Sequence, residues 1–282
     1  MGKRIVSGAV VTVLAAAAIL AGGAVTAAVL FIVSCVAYRE LCRAAGVCKA
    51  GEINGLELLG WLFTALYYGL VWQSGKSFAV ACTDEIWRAL FVLLIGILML
   101  MMAVYVLTFP KYRSEQIMAA FFCMVYAPVM LSFIYLTQQM RYGAYIVWLI
   151  FISSWVCDTC AYFTGMLFGR HKMAPVLSPK KTIEGAVGGV AGSAIAGALF
   201  SLLLVEQEIS TAGAAWAFAA ISAAGAVISQ IGDLAASAIK RNHEIKDYGT
   251  CIPGHGGIMD RFDSVIFTAP VIYVMAHILI GA

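Results

Sequence analysis

The chain has 282 residues, 62% of them hydrophobic and only 12% charged, with a formal net charge of +3. Soluble domains carry roughly 25% charged residues, so this composition excludes a soluble globular chain and points to an integral membrane protein. Alternating segments of about 10 residues, the mark of an outer-membrane barrel, are absent, and the need to satisfy every backbone group in lipid then leaves an all-α polytopic helical bundle.

Apolar runs close to the ~17 to 25 residues that cross a bilayer predict about nine transmembrane helices, over 5–22, 23–38, 57–74, 88–109, 117–137, 143–168, 185–205, 212–238 and 263–281. The first two abut at Gly22-Gly23, which reads as a helical hairpin turn. Lys3-Arg4 before an Ala/Val-rich stretch also has the character of a secretory signal, but a second apolar segment follows at once and favours a first membrane helix. The N-terminus is expected in the cytosol. On that orientation only Lys76, Arg88 and Arg141 of the eighteen Lys and Arg fall outside, as the positive-inside rule requires. The basic face should attract anions, lipid headgroups included. No basic helix, aromatic platform or binding module suggests a nucleic-acid partner.

Residues 1–137 read as structural, lipid-facing transmembrane helices. Residues 138–282 read as the catalytic part, with cytosolic-face loops at 169–184 and 239–262. Further non-spanning pieces are expected at 39–56 and 75–87. The eight cysteines look like small buried apolar residues; Cys157 and Cys160 form a CxxC, but without a second pair at zinc-finger spacing.

The sixth span contributes DTCAYFTGMLFG, in which Asp158, Tyr162, Gly165 and Gly169 recur at one-face spacing, with small residues that allow close helix packing. Asp158 is a candidate for substrate binding or for a buried polar network. In the next loop, Ser178-Pro179 resembles an N-cap followed by proline at the first helical position. Lys180, Lys181 and Thr182 would then lie in a first helical turn, where free N–H groups and the helix dipole favour phosphate. A juxtamembrane topology signal is the plainer reading of the two lysines.

The eighth span ends ISQIGDLAASAIKR, placing Asp233, Ser237 and Lys240-Arg241 along one helical face. A carboxylate inside a membrane helix is costly unless paired, protonated or metal-bound; an Asp233–Lys240 structural pair is the bland alternative. The loop that follows holds Lys246, Asp247, His255, Gly256 and Gly257, and glycines there let backbone N–H groups approach a ligand. Asp260, Arg261 and Asp263 open the last span. Hard carboxylate oxygens of this kind suit Mg²⁺, with Asp233 and Asp260 as ligands; helix-start carboxylates favoured by the dipole are the structural alternative. His255 orients a phosphate, acts as acid or base, or hydrogen-bonds the loop.

The segment from Ser237 to Asp263, SAIKRNHEIKDYGTCIPGHGGIMDRFD, resembles over its whole length the signature of phosphatidate cytidylyltransferases, also called CDP-diacylglycerol synthases: S-x-x-K-R-x4-K-D-x-G-x2-I-P-x-H-G-G-x-x-D-R-x-D. The stretches Asp158 to Gly165 and Ser178 to Gly185, and the pair Gly232-Asp233, look like the same family, whereas the first half matches only in character. The resemblance implies transfer of a cytidylyl group from CTP to phosphatidic acid, giving CDP-diacylglycerol and pyrophosphate for phospholipid biosynthesis. It implies Mg²⁺ at Asp233 and Asp260, with Asp263 or Ser237 supporting a second cation such as K⁺. Lys240, Arg241, Lys246 and Arg261 would hold the triphosphate and the lipid headgroup, and Ser178, Lys180, Lys181 and Thr182 would close over the pocket. It also suggests a homodimer in a bacterial inner membrane, with the active site facing the cytoplasm. Two rivals are another CTP-using lipid enzyme, either a polyprenol kinase or a cytidylyltransferase acting on an ether or isoprenoid lipid phosphate, and a secondary transporter; the last predicts polar sites near the midplane, whereas these charges crowd one membrane face.

Overall fold

The computed structural model describes residues 2–48, 53–76, 84–205, 213–251 and 256–281. Among them are nine helices: α1 (Gly2–Ala21), α2 (Gly23–Ala44), α3 (Gly55–Lys76), α4 (Asp84–Leu107), α5 (Ser114–Gln138), α6 (Gly143–Phe168), α7 (Ile183–Val205), α8 (Ala214–Asn242) and α9 (Met259–Ile280). A two-stranded antiparallel hairpin, β1 (Lys172–Ala174) with β2 (Ser178–Thr182), stands between α6 and α7. The eight helices α2 to α9 contain segments long and apolar enough to cross a membrane; in α1 the apolar stretch is the shorter Thr12–Ala21. The chain is therefore a polytopic all-α membrane protein.

Two compact units account for the contacts: unit 1 comprises Met1–Tyr135 with Asn242–Arg261, and unit 2 comprises Leu136–Arg241 with Phe262–Ala282. In unit 1, α1 and α2 turn back on each other at Gly22 and Gly23, whose φ values of 67° and 50° lie in the left-handed region that glycine enters without steric cost. α2 runs to Ala44, six residues beyond the expected end of its span. Arg39, Glu40 and Arg43 are thus helical rather than in a loop, and Arg39 and Glu40 find partners there. Arg39 Nε lies 2.9 Å from an oxygen of Glu57, a fully buried carboxylate in the first turn of α3. In α5 the segment Val125–Val129 widens into a π-turn around Pro128, which accommodates a residue with no N–H to offer the ladder.

In unit 2, α6 widens in the same way over Ile152–Val156, just before Asp158, and π-turns of this kind often mark functional positions. α6 and α7 pack closely because α7 presents glycines where α6 presents backbone and small side chains. A Cβ at Gly185 would sit 2.7 Å from the Ala161 carbonyl, and one at Gly189 would sit 2.9 Å from both the carbonyl and the sulfur of Cys157. The CxxC is part of this seam. Cys157 is buried and Cys160 half-buried, both as free thiols, and the Cys157 thiol donates to the Ala226 carbonyl of α8. Among the other described cysteines, 42, 48 and 123 are buried, Cys35 is half-buried and Cys251 is exposed.

The expected helix start at Ser178 is corrected. Ser178–Thr182 is a strand paired to β1, and the N-cap of α7 is Thr182, whose hydroxyl accepts the Gly185 N–H at 3.2 Å. Pro179 holds its predecessor in extended backbone, and the ladder with Lys172 and Ala174 carries that conformation through Lys180 and Lys181.

Candidate active site

Unit 2 contains a cavity of about 430 Å³ between the C-terminal half of α6, β2, the start of α7 and α8, a volume within the roughly 300 to 1,000 Å³ range of small-molecule sites. Its polar lining includes Asp158, Ser178, Lys180, Lys181, Gln230 and Asp233. Local structure puts them there. The face of α6 expected from the spacing of Asp158, Tyr162 and Gly165 does line the cavity, and β2 adds Lys180 and Lys181 to the lining. The Lys181 ammonium is ion-paired with the Asp233 carboxylate, each side chain about a quarter exposed (26% and 27%). Asp233 therefore pairs with a lysine from another element, a partner that the spacing along its own helix does not show.

Asp158 is exposed to the cavity and feels both Asp233 and Lys181. Asp263, half-buried on α9, feels Asp233, Lys240 and Asp158. Three carboxylates and two ammonium groups thus influence one another within unit 2. Gln230 was missed by sequence reasoning. It is 8% exposed, and its amide N–H donates to the Ala186 carbonyl at 3.1 Å, tying α8 to the first turns of α7.

An apolar groove of about 480 Å³ shares Met173, Ala186 and Gln230 with this cavity and continues along α7 and α8 past Val190, Ala194 and Val227. From Ala186 to Ala194 it follows α7 for about 12 Å at the ~1.5 Å rise of a helix. It leads away from the charged end of both helices.

Unit 1 holds the other half of the motif, built on backbone hydrogen bonds. Asp260, 8% exposed in the first turn of α9, accepts through one oxygen from the N–H of Tyr248 at 2.8 Å and of Gly257 at 3.0 Å. Gly256 has φ 84°, and a Cβ there would sit 2.8 Å from the same Asp260 oxygen; only glycine fits both demands. The second residue that sequence reasoning missed is Glu40 of α2. It is 4% exposed and accepts from the N–H of Ile258 at 3.2 Å and of Met259 at 2.8 Å. Nothing in the neighbourhood of Glu40 in the chain signals this, because its partners lie 218 and 219 residues away. Cys251, exposed and outside the spans, has its thiol pushed up by partial burial and the Glu40 carboxylate, against the pull of Arg43 and Arg39.

Asp158, Ser178, Lys180, Lys181, Thr182 and Asp233 are brought to one cavity. Ser237, Lys240 and Arg241 follow Asp233 along the last turns of α8, outside that lining. Lys246, Asp247, Gly256, Gly257, Asp260 and Arg261 belong to unit 1. His255 lies outside the described residues. No group of three or more His, Cys, Asp or Glu among the described residues is gathered as a metal site. The donor chemistry fits the implied Mg²⁺ all the same: Asp233 lines the cavity with hard carboxylate oxygens, and Mg²⁺ commonly takes one or two carboxylates and completes its shell with water and phosphate.

Comparison with known proteins gives the same direction. A family model described as Cytidylyltransferase family matches residues 2–279. The phosphatidate cytidylyltransferase of Staphylococcus saprophyticus is 39% identical over 165 residues, 58% of this chain and 62% of that protein. The phosphatidate cytidylyltransferase of Thermotoga maritima is 36% identical over 172 residues, 61% of this chain and 63% of that protein. Each match thus spans a little under two thirds of the relative's length.

Proposed function

The chain belongs to the cytidylyltransferase family, and on that premise we propose that it transfers CMP from CTP to phosphatidic acid, releasing pyrophosphate and forming CDP-diacylglycerol. The observation that carries this reading is the cavity of unit 2, where Lys180 and Lys181 face Asp158 and Asp233 and from which an apolar groove departs. A polar chamber for phosphates joined to an apolar channel suits a reaction between a nucleotide and a lipid phosphate.

In the proposed reaction a phosphate oxygen of phosphatidate attacks the α-phosphorus of CTP, one P–O bond forms, and the bond to the leaving pyrophosphate breaks in line. The attacking oxygen is already anionic near neutral pH, so the protein's work is positioning and charge neutralisation. Lys181, oriented by Asp233, and Lys180 on the same strand draw the triphosphate into the cavity. Lys240, Arg241, Lys246 and Arg261 serve the phosphates and the lipid headgroup, Arg being the better bidentate partner. Asp233 and Asp260 are the proposed Mg²⁺ ligands; Asp263 or Ser237 would support a second cation such as K⁺. When bound, such ions neutralise charge on the attacking and leaving oxygens. The acyl chains lie in the groove past Val190 and Val227. The distribution of Lys and Arg supports an active site on the cytoplasmic face; the family resemblance adds a bacterial inner membrane and a homodimer to the proposal.

Purified protein in detergent with phosphatidic acid, Mg²⁺ and CTP labelled separately at the α and γ phosphates tests the reading. Label from the α-phosphate should appear in lipid and γ-label in pyrophosphate. Label from the γ-phosphate in lipid would mean a kinase, and absence of nucleotide turnover would remove the enzymatic reading.

A further inference from the structure

We infer that Glu40 of α2, far from the signature in sequence, is a positioning residue for this reaction: its carboxylate holds the start of α9, and with it Asp260 and Arg261, in the orientation the reaction uses. The inference rests on the reading above for which reaction is served, and on unit 1 alone for the geometry.

Two carboxylates divide the work of shaping the end of the signature. Asp260 fastens the loop to itself, taking the N–H groups of Tyr248 and Gly257. Glu40 takes the next two N–H groups along the chain, those of Ile258 and Met259. These are among the N–H groups that the first turn of α9 leaves without intrahelical acceptors, and an anion at a helix N-terminus meets the favourable end of the dipole. Four consecutive residues from Gly257 to Asp260 are thereby tied, by backbone or by side chain, to one of the two carboxylates.

The surroundings of Glu40 leave little room for another arrangement. A Cβ at Gly249 would sit 2.3 Å from one carboxylate oxygen and a Cβ at Gly257 would sit 2.4 Å from the other. Two glycines of the signature, G-x2-I-P and H-G-G in its pattern, are therefore the walls of a slot for a side chain that the signature does not contain. The slot lies at the end of α2, which reaches it because the helix continues to Ala44. Helix α2 thus sets where the metal-ligand candidate Asp260 and the phosphate-binding candidate Arg261 begin. Glu40 would touch neither substrate; it acts through the backbone of α9.

The test compares Glu40→Gln and Glu40→Ala with the parent protein in detergent, by hydrogen exchange of the peptide spanning 256–262 and by steady-state kinetics as a function of Mg²⁺. Positioning predicts that Glu40→Ala loses protection at Ile258 and Met259 and loses about 100-fold in kcat, the penalty of a catalytic group displaced by roughly 1 Å. It also predicts a higher Mg²⁺ concentration for half-maximal activity. Glu40→Gln, which keeps an acceptor oxygen but no charge, should restore part of the protection and part of the rate. A Glu40→Gln protein with parental exchange, kcat and Mg²⁺ midpoint overturns the inference even if Glu40→Ala fails to fold. Lowered thermal stability with unchanged kcat and Mg²⁺ midpoint per folded molecule overturns it too, since that is what a purely structural carboxylate would give. Absence of turnover in the parent protein would instead strike at the proposed reaction, and the exchange measurement would still decide whether Glu40 holds α9.

Discussion

The two polar regions of this membrane protein use their carboxylates in opposite ways. In unit 1, Glu40 and Asp260 are almost wholly removed from solvent, and both oxygens of Glu40 and one of Asp260 accept from backbone N–H groups. In unit 2, Asp158 and Asp233 line an open cavity, where Asp233 meets a lysine that is itself partly exposed. The difference is one of what remains for a ligand. A carboxylate with both oxygens on N–H groups, as in Glu40, fixes a backbone conformation; Asp260 does so through one oxygen, and a carboxylate at a cavity wall keeps lone pairs for a cation or orients a lysine for an anion. One region behaves as a frame and the other as a chamber.

The contrast breaks most sharply at Asp233. Replacing it with Asn removes the charge that orients Lys181 and the proposed metal oxygen, so turnover of labelled CTP should fall by about 100-fold or more, while exchange at residues 256–262 stays parental. A fall in that exchange protection would mean that the two regions are not separate devices. Lys181→Ala comes next. Loss of one charge-assisted contact, worth about 1.5 to 3 kcal/mol, should raise the KM for CTP by roughly tenfold or more, and Lys181→Arg should recover part of it. Unchanged KM would take β2 out of the site.

Filling the groove should act on the lipid alone. Val190→Trp is expected to cost about tenfold in kcat/KM with long-chain phosphatidate, on the scale of discrimination in apolar pockets, and much less with a short-chain analogue. Equal losses for both lipids would show that the acyl chains run elsewhere. The smallest effect is expected at Cys251. Its raised thiol keeps the reactive thiolate scarce at neutral pH, so alkylation followed by mass spectrometry should climb only above the pH range of an ordinary thiol. In Glu40→Gln the raising charge is gone and labelling at a given pH should be faster. Identical profiles would remove Glu40 from the surroundings of Cys251.

Much of this protein is legible along the chain. Eight of the expected spans recur as helices long and apolar enough to cross a membrane, because lipid imposes length and hydropathy on each helix separately. The Gly22-Gly23 turn was legible for a similar reason, since two adjacent residues set it. The cavity face of α6 followed from helical spacing. The start of α7 did not: Ser178-Pro179 has the form of a cap, but pairing with Lys172 and Ala174 draws the segment into a strand and passes the cap to Thr182.

By itself, then, the sequence determined the class of the molecule, the order of its helices and the identity of a signature rich in charge and glycine. Those properties depend on composition and on spacing within a single element. Only the tertiary structure decided that Asp233 pairs with Lys181 of β2, that Gln230 ties α8 to α7, and that Glu40 caps α9. Each of these joins groups from different elements, by charge or hydrogen bond across space, and no periodicity in the chain encodes which donor will meet which acceptor.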